Sequence, residues 1–202
     1  MTLHPPLLLF SSISKTSPPF SHSSFQTVRY RAVPLGVSQY LVPRIADGSS
    51  ALPYSVIIIP LSNTQCTSIT KNPYVFSPRS ISKFSLLLNS KSIPTKPIAV
   101  KKQVEDNVRC YRHFLENTGF ADTNISNGIE PYSYLNHDFC MSFDLTGDNC
   151  LGNHNHRPQS GALDLSLEFE QPLEQPITLL VIASYESCLK LDGQEVTINY
   201  SL

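Results

Sequence analysis

The residues best suited to chemistry lie in one polar segment of the second half of the chain. Cys150, His154 and His156 follow the spacing Cys-x-x-x-His-x-His, and thiolate and imidazole groups are ligands that zinc prefers. His137 and Cys140 precede them and would enlarge the set. Structural zinc sites usually present two closely spaced ligand pairs, however, and Cys140 falls within a predicted strand. The sequence therefore predicts a polar loop and a buried thiol here, with a small zinc-binding protein as an alternative.

No other arrangement of residues predicts catalysis. A cysteine nucleophile needs an electropositive setting and an oriented base, and the five cysteines and six histidines show neither in their spacing. Asp144 and Asp148 straddle a Thr-Gly pair after a strand, which is more typical of a turn than of an acid–base site. Nucleophile-elbow, phosphate-loop and metalloprotease motifs are missing from the sequence. We therefore predict a protein that is not an enzyme, with no catalytic residues, no cofactor and no metal.

The distribution of charge along the chain bears on whether the protein binds nucleic acid. Residues 1–102 hold 11 Lys and Arg but one acid, whereas residues 103–202 hold 4 and 15, so the halves carry about +10 and −11. Arg29-Tyr30-Arg31 interleaves basic and aromatic residues, which suits stacking on RNA bases. The basic residues are spread singly, though, and the net charge of the chain is −1. We predict that both halves fold into one body whose charges meet on its surface, and that nucleic acid is not the partner.

Composition limits the class of protein. The 202 residues are 15% charged, against about 25% in an average globular protein, and they include 16 prolines. No apolar run approaches the roughly 20 residues of a membrane-spanning helix. Five cysteines, an odd number without a Cys-x-x-Cys pair, favour a reducing, intracellular setting over secretion. Residues 1–26 are rich in Ser and Pro, which predicts a disordered tail, with a targeting segment as the alternative.

The elements that must position these residues are mainly strands. Apolar or alternating runs bounded by turn residues predict strands at 27–33, 54–59, 83–88, 139–145, 161–170 and 177–185. In 161–170, leucines and a phenylalanine alternate with acids and a serine, as in a sheet with one buried face and one wet face. Residues 177–185 are apolar on both faces, which predicts a central strand. Asp192-Gly193 lies between two further runs and predicts a tight hairpin.

One segment has helical periodicity. Val104, Val108, Tyr111 and Leu115 recur at the spacing of an amphipathic helix, and Gly119 supplies a stop. This predicts one helix from about Gln103 to Asn117 whose apolar side faces the core. The fold class is therefore mainly all-β: an antiparallel sandwich or barrel with one inserted α-helix at about 103–117, formed by a single domain over 27–202.

Three ordered stretches resemble a known family. They are 52–59 with 72–76, then 84–97, and then 141–146 followed by 160–173, 177–185 and 189–192. In that order they resemble the C-terminal jelly roll of the double-jelly-roll major capsid proteins of Polinton/Maverick virus-like transposons, whose relatives occur uncharacterised in host genomes. The resemblance spans about 31–202 and is strongest from Phe139 to Asp192. It implies an eight-stranded jelly roll with a helix in one connection, a structural role, and no catalytic residue.

The resemblance also raises expectations about assembly. The family places two jelly rolls in one chain, and this sequence has room for one, so we expect a truncated or domesticated member. A lone jelly roll would expose the face that otherwise packs on its partner, as a large apolar patch. Self-association, or contact with other capsid-like chains, is the expected interaction. A jelly-roll module that binds a carbohydrate or another ligand in its loops is the alternative, and the absence of Trp speaks against it.

Overall fold

A computed structural model describes residues 20–45, 52–63, 68–70, 72–121, 123–146, 160–192 and 195–200. They form nine strands, two α-helices and one 3₁₀ turn. The strands are β1 (Phe20–Val33), β2 (Gln39–Val42), β3 (Ser55–Ser62), β4 (Ile81–Leu88), β5 (Lys91–Ala99), β6 (Met141–Asp144), β7 (Leu163–Phe169), β8 (Ile177–Asp192) and β9 (Glu195–Tyr200). The helices are α1 (Val108–Asn117) and α2 (Pro131–Asn136), and the 3₁₀ turn is Glu105–Asn107.

The strand order is that of a jelly roll. One sheet has the order β1-β8-β3-β6, with β9 paired to β8, and the second has the order β2-β7-β4-β5. We call them the BIDG-type and the CHEF-type sheet, after the letters B to I that jelly-roll strands receive in chain order. All of these pairs are antiparallel. Strands one and eight, two and seven, three and six, and four and five are neighbours, which is the double Greek key of a jelly roll. The predicted fold class is therefore confirmed by the topology itself.

The core lies between the two sheets. β7 alternates as predicted, with Leu163, Leu165, Leu167 and Phe169 buried and the residues between them partly exposed. Burying four such side chains stabilises the fold by about 6–12 kcal/mol before entropy is subtracted. Across the core, β8 contributes Leu179 and Val181, and β3 contributes Val56 and Ile58, all buried. Both sheets therefore meet through rows of aliphatic side chains.

Strand lengths differ from the sequence-based expectation where a partner strand sets them. β3 runs through Pro60, where the sequence predicts an end, because β6 pairs only with Ser55–Ile58 and leaves Pro60 on a free edge. β1 begins at Phe20, before the strand predicted from Thr27, because it pairs with β8 along its whole length. Strand structure thus reaches into the segment 1–26, and the domain boundary at 27 stays a prediction.

Two hairpins join neighbouring strands. Asn89 and Ser90 have positive φ angles of 49° and 67° and connect β4 to β5 as a two-residue hairpin. In the β8–β9 hairpin, Asp192 pairs with Glu195, so the connection is residues 193–194, one residue later than the predicted Asp192-Gly193 centre. Residues 193–194 themselves lie outside the described part of the chain.

The predicted helix is present, and Val104, Tyr111 and Leu115 of its predicted apolar side pack against the core, but Val108 does not. Residues 105–107 form a 3₁₀ turn and the α-helix α1 begins at Val108, which is 66% exposed rather than buried. Asn107 is buried instead, because its side chain accepts a bond from the Lys101 amide and donates one to the Lys101 carbonyl. The buried face of α1 is then Cys110 and Phe114.

The end of α1 follows the prediction. Gly119 has φ +77°, its amide donates to the Glu116 carbonyl, and the Phe120 amide donates to the Leu115 carbonyl. These two bonds form a Schellman motif, which favours glycine at the left-handed position. A second helix, α2, lies in the same β5–β6 connection, where the sequence predicts only turns. Pro131 occupies its first turn, a position that proline favours.

The charges of the two halves meet on the surface. Lys83 of β4 and Glu168 of β7 are cross-strand neighbours 2.6 Å apart, and Lys102 lies 2.9 Å from Glu170. Each pair joins a base of the first half to an acid of the second half, as predicted for a single folded body. Among the described residues, no helix is both long and apolar enough to cross a membrane.

Candidate interaction surface

The predicted zinc residues Cys150, His154 and His156 lie outside the described residues, so the zinc alternative stays a prediction. His137 follows α2, where its backbone amide donates to the Ser133 carbonyl. Within the part of the chain that the structure describes, no three His, Cys, Asp or Glu side chains come together as a metal site.

Two described thiols are held in the core rather than at a reactive surface. The Cys110 sulfur lies 3.6 Å from the Tyr134 hydroxyl, which donates to the Cys140 carbonyl at 2.8 Å. Burial raises the pKa of Cys110 to about 11 and that of Cys140 to about 12. Both thiols are therefore protonated at neutral pH, which makes them weak nucleophiles.

Asp144 serves a turn, as the sequence predicts. Its Oδ1 atom accepts bonds from the backbone amide and the hydroxyl of Thr146, at 2.7 and 2.6 Å. Its own backbone amide donates to Asn117 Oδ1 at 2.7 Å, which ties the free edge of β6 to α1. Asp148, the other acid of the predicted turn, lies outside the described residues.

The basic and aromatic residues of β1 point to opposite faces of the BIDG-type sheet. Tyr30 is 66% exposed on the outer face, whereas Arg31 points towards the second sheet and donates to the Arg44 carbonyl at 2.9 Å. Arg29, two residues earlier, lies on the same inner side and acts electrostatically on the buried Tyr185. The strand thus places its aromatic and basic side chains on different faces of the sheet, and the expectation about nucleic acid stays a prediction.

The outer face of the BIDG-type sheet is apolar. The register aligns Val28, Ile182 and Ile57 in one row across β1, β8 and β3 and aligns Tyr30, Leu180 and Ile59 in the next. We call these six residues the outer patch. Val28 is 56% exposed and Tyr30 66% exposed, and the other four are partly exposed. No member of either row carries a charge, which is unusual for the solvent side of an antiparallel sheet.

Neutral polar groups and α1 border the outer patch. At one end Gln26 donates to the Ser184 hydroxyl at 3.2 Å, and at the other the Thr178 hydroxyl donates to Asn63 at 2.7 Å. Beyond Ile57, the row continues to Ser142 of β6, which is buried and donates to the Phe114 carbonyl of α1. The helix therefore covers the β6 end of this face and leaves β1, β8 and β3 open.

The clefts in the described part of the chain do not resemble ligand sites. Three clefts lined by described residues have volumes of about 250, 650 and 260 Å³, and aromatic side chains line none of these three. In the first, Lys102 is already paired with Glu170. Carbohydrate-binding and drug-sized ligand sites generally use aromatic walls and convergent polar groups, so these clefts do not favour the ligand-binding alternative.

The sequence contains a signal for the outer patch in the two apolar runs that form β3 and β8. The runs at 54–59 and 177–185 carry apolar residues on both faces, interrupted by Ser55, Thr178 and Ser184, which predicts strands buried on both sides. The structure buries one side of β3 and β8 within the core and leaves the other side partly exposed. The pattern is thus that of a sheet with packing surfaces on both faces, one of which is open.

Comparison with known proteins gives similarity in structure only. No family model matches the chain, and no curated protein matches it. The chain is similar to the cryo-EM structure of the Sputnik virophage, with 12% identity and a TM-score of 0.48, covering 92% of this chain and 40% of that one. It is similar to the mavirus major capsid protein, with 6% identity and a TM-score of 0.46, covering 93% of this chain and 43% of that one.

A third similarity is to the VP54 protein of the virus PBCV-1, with 7% identity and a TM-score of 0.45, covering 90% of this chain and 52% of that one. Of these three, the mavirus protein is described as a major capsid protein. The chain spans about half or less of the length of each of these proteins. The jelly-roll assignment itself rests on the strand order given above.

Proposed function

We propose that this chain is a non-enzymatic assembly protein, a capsid-like jelly roll that acts through protein–protein contacts at the outer patch. The observation that carries the proposal is the uncharged, partly exposed face formed by the two rows of β1, β8 and β3. The largest contiguous apolar area on the surface of a soluble protein is often a site where a partner binds. The described thiols and clefts supply no reactive group that competes with this interpretation.

The sequence resemblance supports a finer proposal about origin. The ordered stretches from Phe139 to Asp192 resemble capsid jelly rolls of virus-like transposons, and we propose that this chain derives from such a protein. The partner would then be another jelly roll, either of this chain or of a related capsid-like chain. A jelly-roll sandwich that has a second packing face suits this role, because sheets pack on one another at about 10 Å through rows of aliphatic side chains.

The test compares two exposed aliphatic residues on opposite sheets of the full chain. Val28 is 56% exposed in the outer patch, and Leu41 is 50% exposed on the outer side of the other sheet. We expect the unaltered chain to associate with rising concentration in sedimentation velocity. Val28→Lys should weaken that association about tenfold or more, because an unpaired charge would be buried in the contact. Leu41→Lys should leave it unchanged.

Two results would contradict the proposal. One is a chain that stays monomeric at every concentration and at both low and high salt while remaining folded. The other is association that falls equally in the Val28→Lys and Leu41→Lys variants, since that would show no preference for the outer patch. Circular dichroism of both variants controls for loss of fold.

A further inference from the structure

A comparison of the two outer sheet faces indicates which partner the outer patch binds. We propose that the patch packs against the same patch of a second copy of this chain, face to face about a twofold axis near β8. This inference rests on the proposed function, because it names the occupant of the surface assigned there. It follows from three observations: the charges on each outer face, the inner side of the β1 edge, and the size of the patch.

The first observation excludes the other outer face as the partner. In the CHEF-type sheet the register aligns Gln39, Glu168 and Lys83 in one row, and Leu41, Ser166 and Ser85 in the next. Docking the apolar outer patch there would remove Lys83 and Glu168 from water without a new partner, which is costly. The outer patch carries no charge, so two copies of it meet without repulsion or loss of ion hydration. Of the two outer faces that the structure describes, only the patch itself complements the patch.

The second observation concerns the edge of β1, the other route by which this sheet could associate. Edge strands pair with a neighbouring chain unless something prevents it, and inward-pointing charges are one such feature. Arg29 and Arg31 lie on the inner side of β1, and Arg31 is fixed there by its bond to the Arg44 carbonyl. A strand added beside β1 would have to accommodate these two guanidinium groups. Contact between faces is therefore favoured over addition of a strand at the edge.

The third observation sets the strength of the contact. Three strands about 4.8 Å apart and rows about 7 Å apart give the patch and its borders an area of roughly 300 Å². A stable dimer buries about 800 Å² on each partner. The contact should therefore dissociate on dilution and become effective where many copies are held together. Sheets packed face to face at an angle of about 30° would place β8, the middle strand, against β8 of the second copy.

A charge-exchange experiment on the full chain tests the twofold contact. Ile182 lies on β8 near the proposed axis, so Ile182 of one copy should face Ile182 of the other. We expect Ile182→Lys and Ile182→Glu each to weaken association at least about tenfold in sedimentation velocity. An equimolar mixture of the two should recover association to within about threefold of the original, because the new charges then attract each other. Failure of the mixture to recover, with both variants folded, would overturn the inference.

A photocrosslinker at Tyr30 gives a second measurement that does not depend on altering β8. Tyr30 is 66% exposed, and Tyr132 of α2, at 64%, provides the matched control position. We mix light- and heavy-isotope chains and map the crosslinks by mass spectrometry. Crosslinks between copies from Tyr30 to β1, β8 or β3 support the twofold contact. Crosslinks between copies to any other surface overturn it but leave the assembly function standing. A folded monomer without crosslinks between copies overturns both.

Discussion

The two sheets of this sandwich share one core but differ on their outer sides. On the CHEF-type sheet, Lys83 and Glu168 form a cross-strand ion pair and the neighbouring row carries serines. On the BIDG-type sheet, the corresponding rows are Val28-Ile182-Ile57 and Tyr30-Leu180-Ile59. The first face carries an ion pair and serines, of which Ser85 is buried, whereas the second face resembles a core face. The difference indicates that the charged face keeps this small domain soluble, whereas the apolar face on the opposite side associates with a partner.

The difference also explains where α1 lies. The helix covers the β6 edge of the BIDG-type sheet, through the bond from the Asp144 amide to Asn117 and the contact of Ser142 with Phe114. Unpaired edges and apolar faces both promote association, and the helix removes one of them. The open part of the face is then limited to β1, β8 and β3, so that the apolar surface has a defined size.

The largest effect that we expect is a difference in unfolding free energy between a charge placed on the inner side of β7 and a charge placed on its outer side. Leu167 is 1% exposed, and a charge there would be buried without a partner. We expect Leu167→Asp to destabilise the fold by about 4 kcal/mol or more, measured by urea unfolding. Ser166→Asp, one residue away on the outer side, should change the unfolding free energy by less than about 1 kcal/mol. Equal effects of the two substitutions would break the distinction between the faces.

Much of this arrangement could be predicted from the sequence, because strand periodicity is a local property. The alternation of β7 follows from four apolar residues at every second position, and the central place of β8 follows from a run with apolar residues on both faces. The hairpin turn at Asn89-Ser90 follows from turn chemistry alone. In each of these cases, residues next to one another in sequence decide the structure.

The features that could not be predicted depend on distant partners. β2 has only four residues and takes its place by pairing with β7, some 120 positions later. The exposed position of Val108 depends on the bonds of Asn107 to Lys101, which turn the start of the helix. For the candidate site, the sequence shows that β3 and β8 are apolar on both faces. Only the register shows that Val28 and Tyr30 join them on the side that α1 leaves open.

An intermediate effect concerns His113 of the covering helix α1, whose ring contacts Phe84 and Phe143. Burial lowers its pKa from 6.5 to about 4, nearby Arg109 adds to the lowering, and Glu116 opposes it. The folded state therefore binds fewer protons than the unfolded state between these values. Its contribution to stability is complete above pH 6.5 and is lost as the pH falls through 4.

We expect the unfolding free energy to fall by up to about 3 kcal/mol over that range because of this residue. His113→Gln, which keeps a neutral polar side chain, should remove this part of the pH dependence while the carboxylates continue to titrate. Urea unfolding at several pH values measures the difference. Because α1 limits the outer patch, acid should also enlarge the apolar face, which an increase in the fluorescence of a hydrophobic dye would report. An unchanged slope in His113→Gln would show that the helix cover does not depend on a neutral imidazole.

The smallest effect that we expect is the different response of the two outer faces to salt. The Lys83–Glu168 pair is half exposed on the lysine side, so Lys83→Ala should cost less than about 1 kcal/mol, and sodium chloride should reduce that difference further by screening. Contact through the outer patch is apolar and should instead be strengthened by ammonium sulfate, which favours burial of apolar surface. Sedimentation velocity of the unaltered chain and the Lys83→Ala variant in both salts tests the two faces together. Association that sodium chloride weakens, and that Lys83→Ala alters, would place the contact on the charged sheet instead of the apolar one.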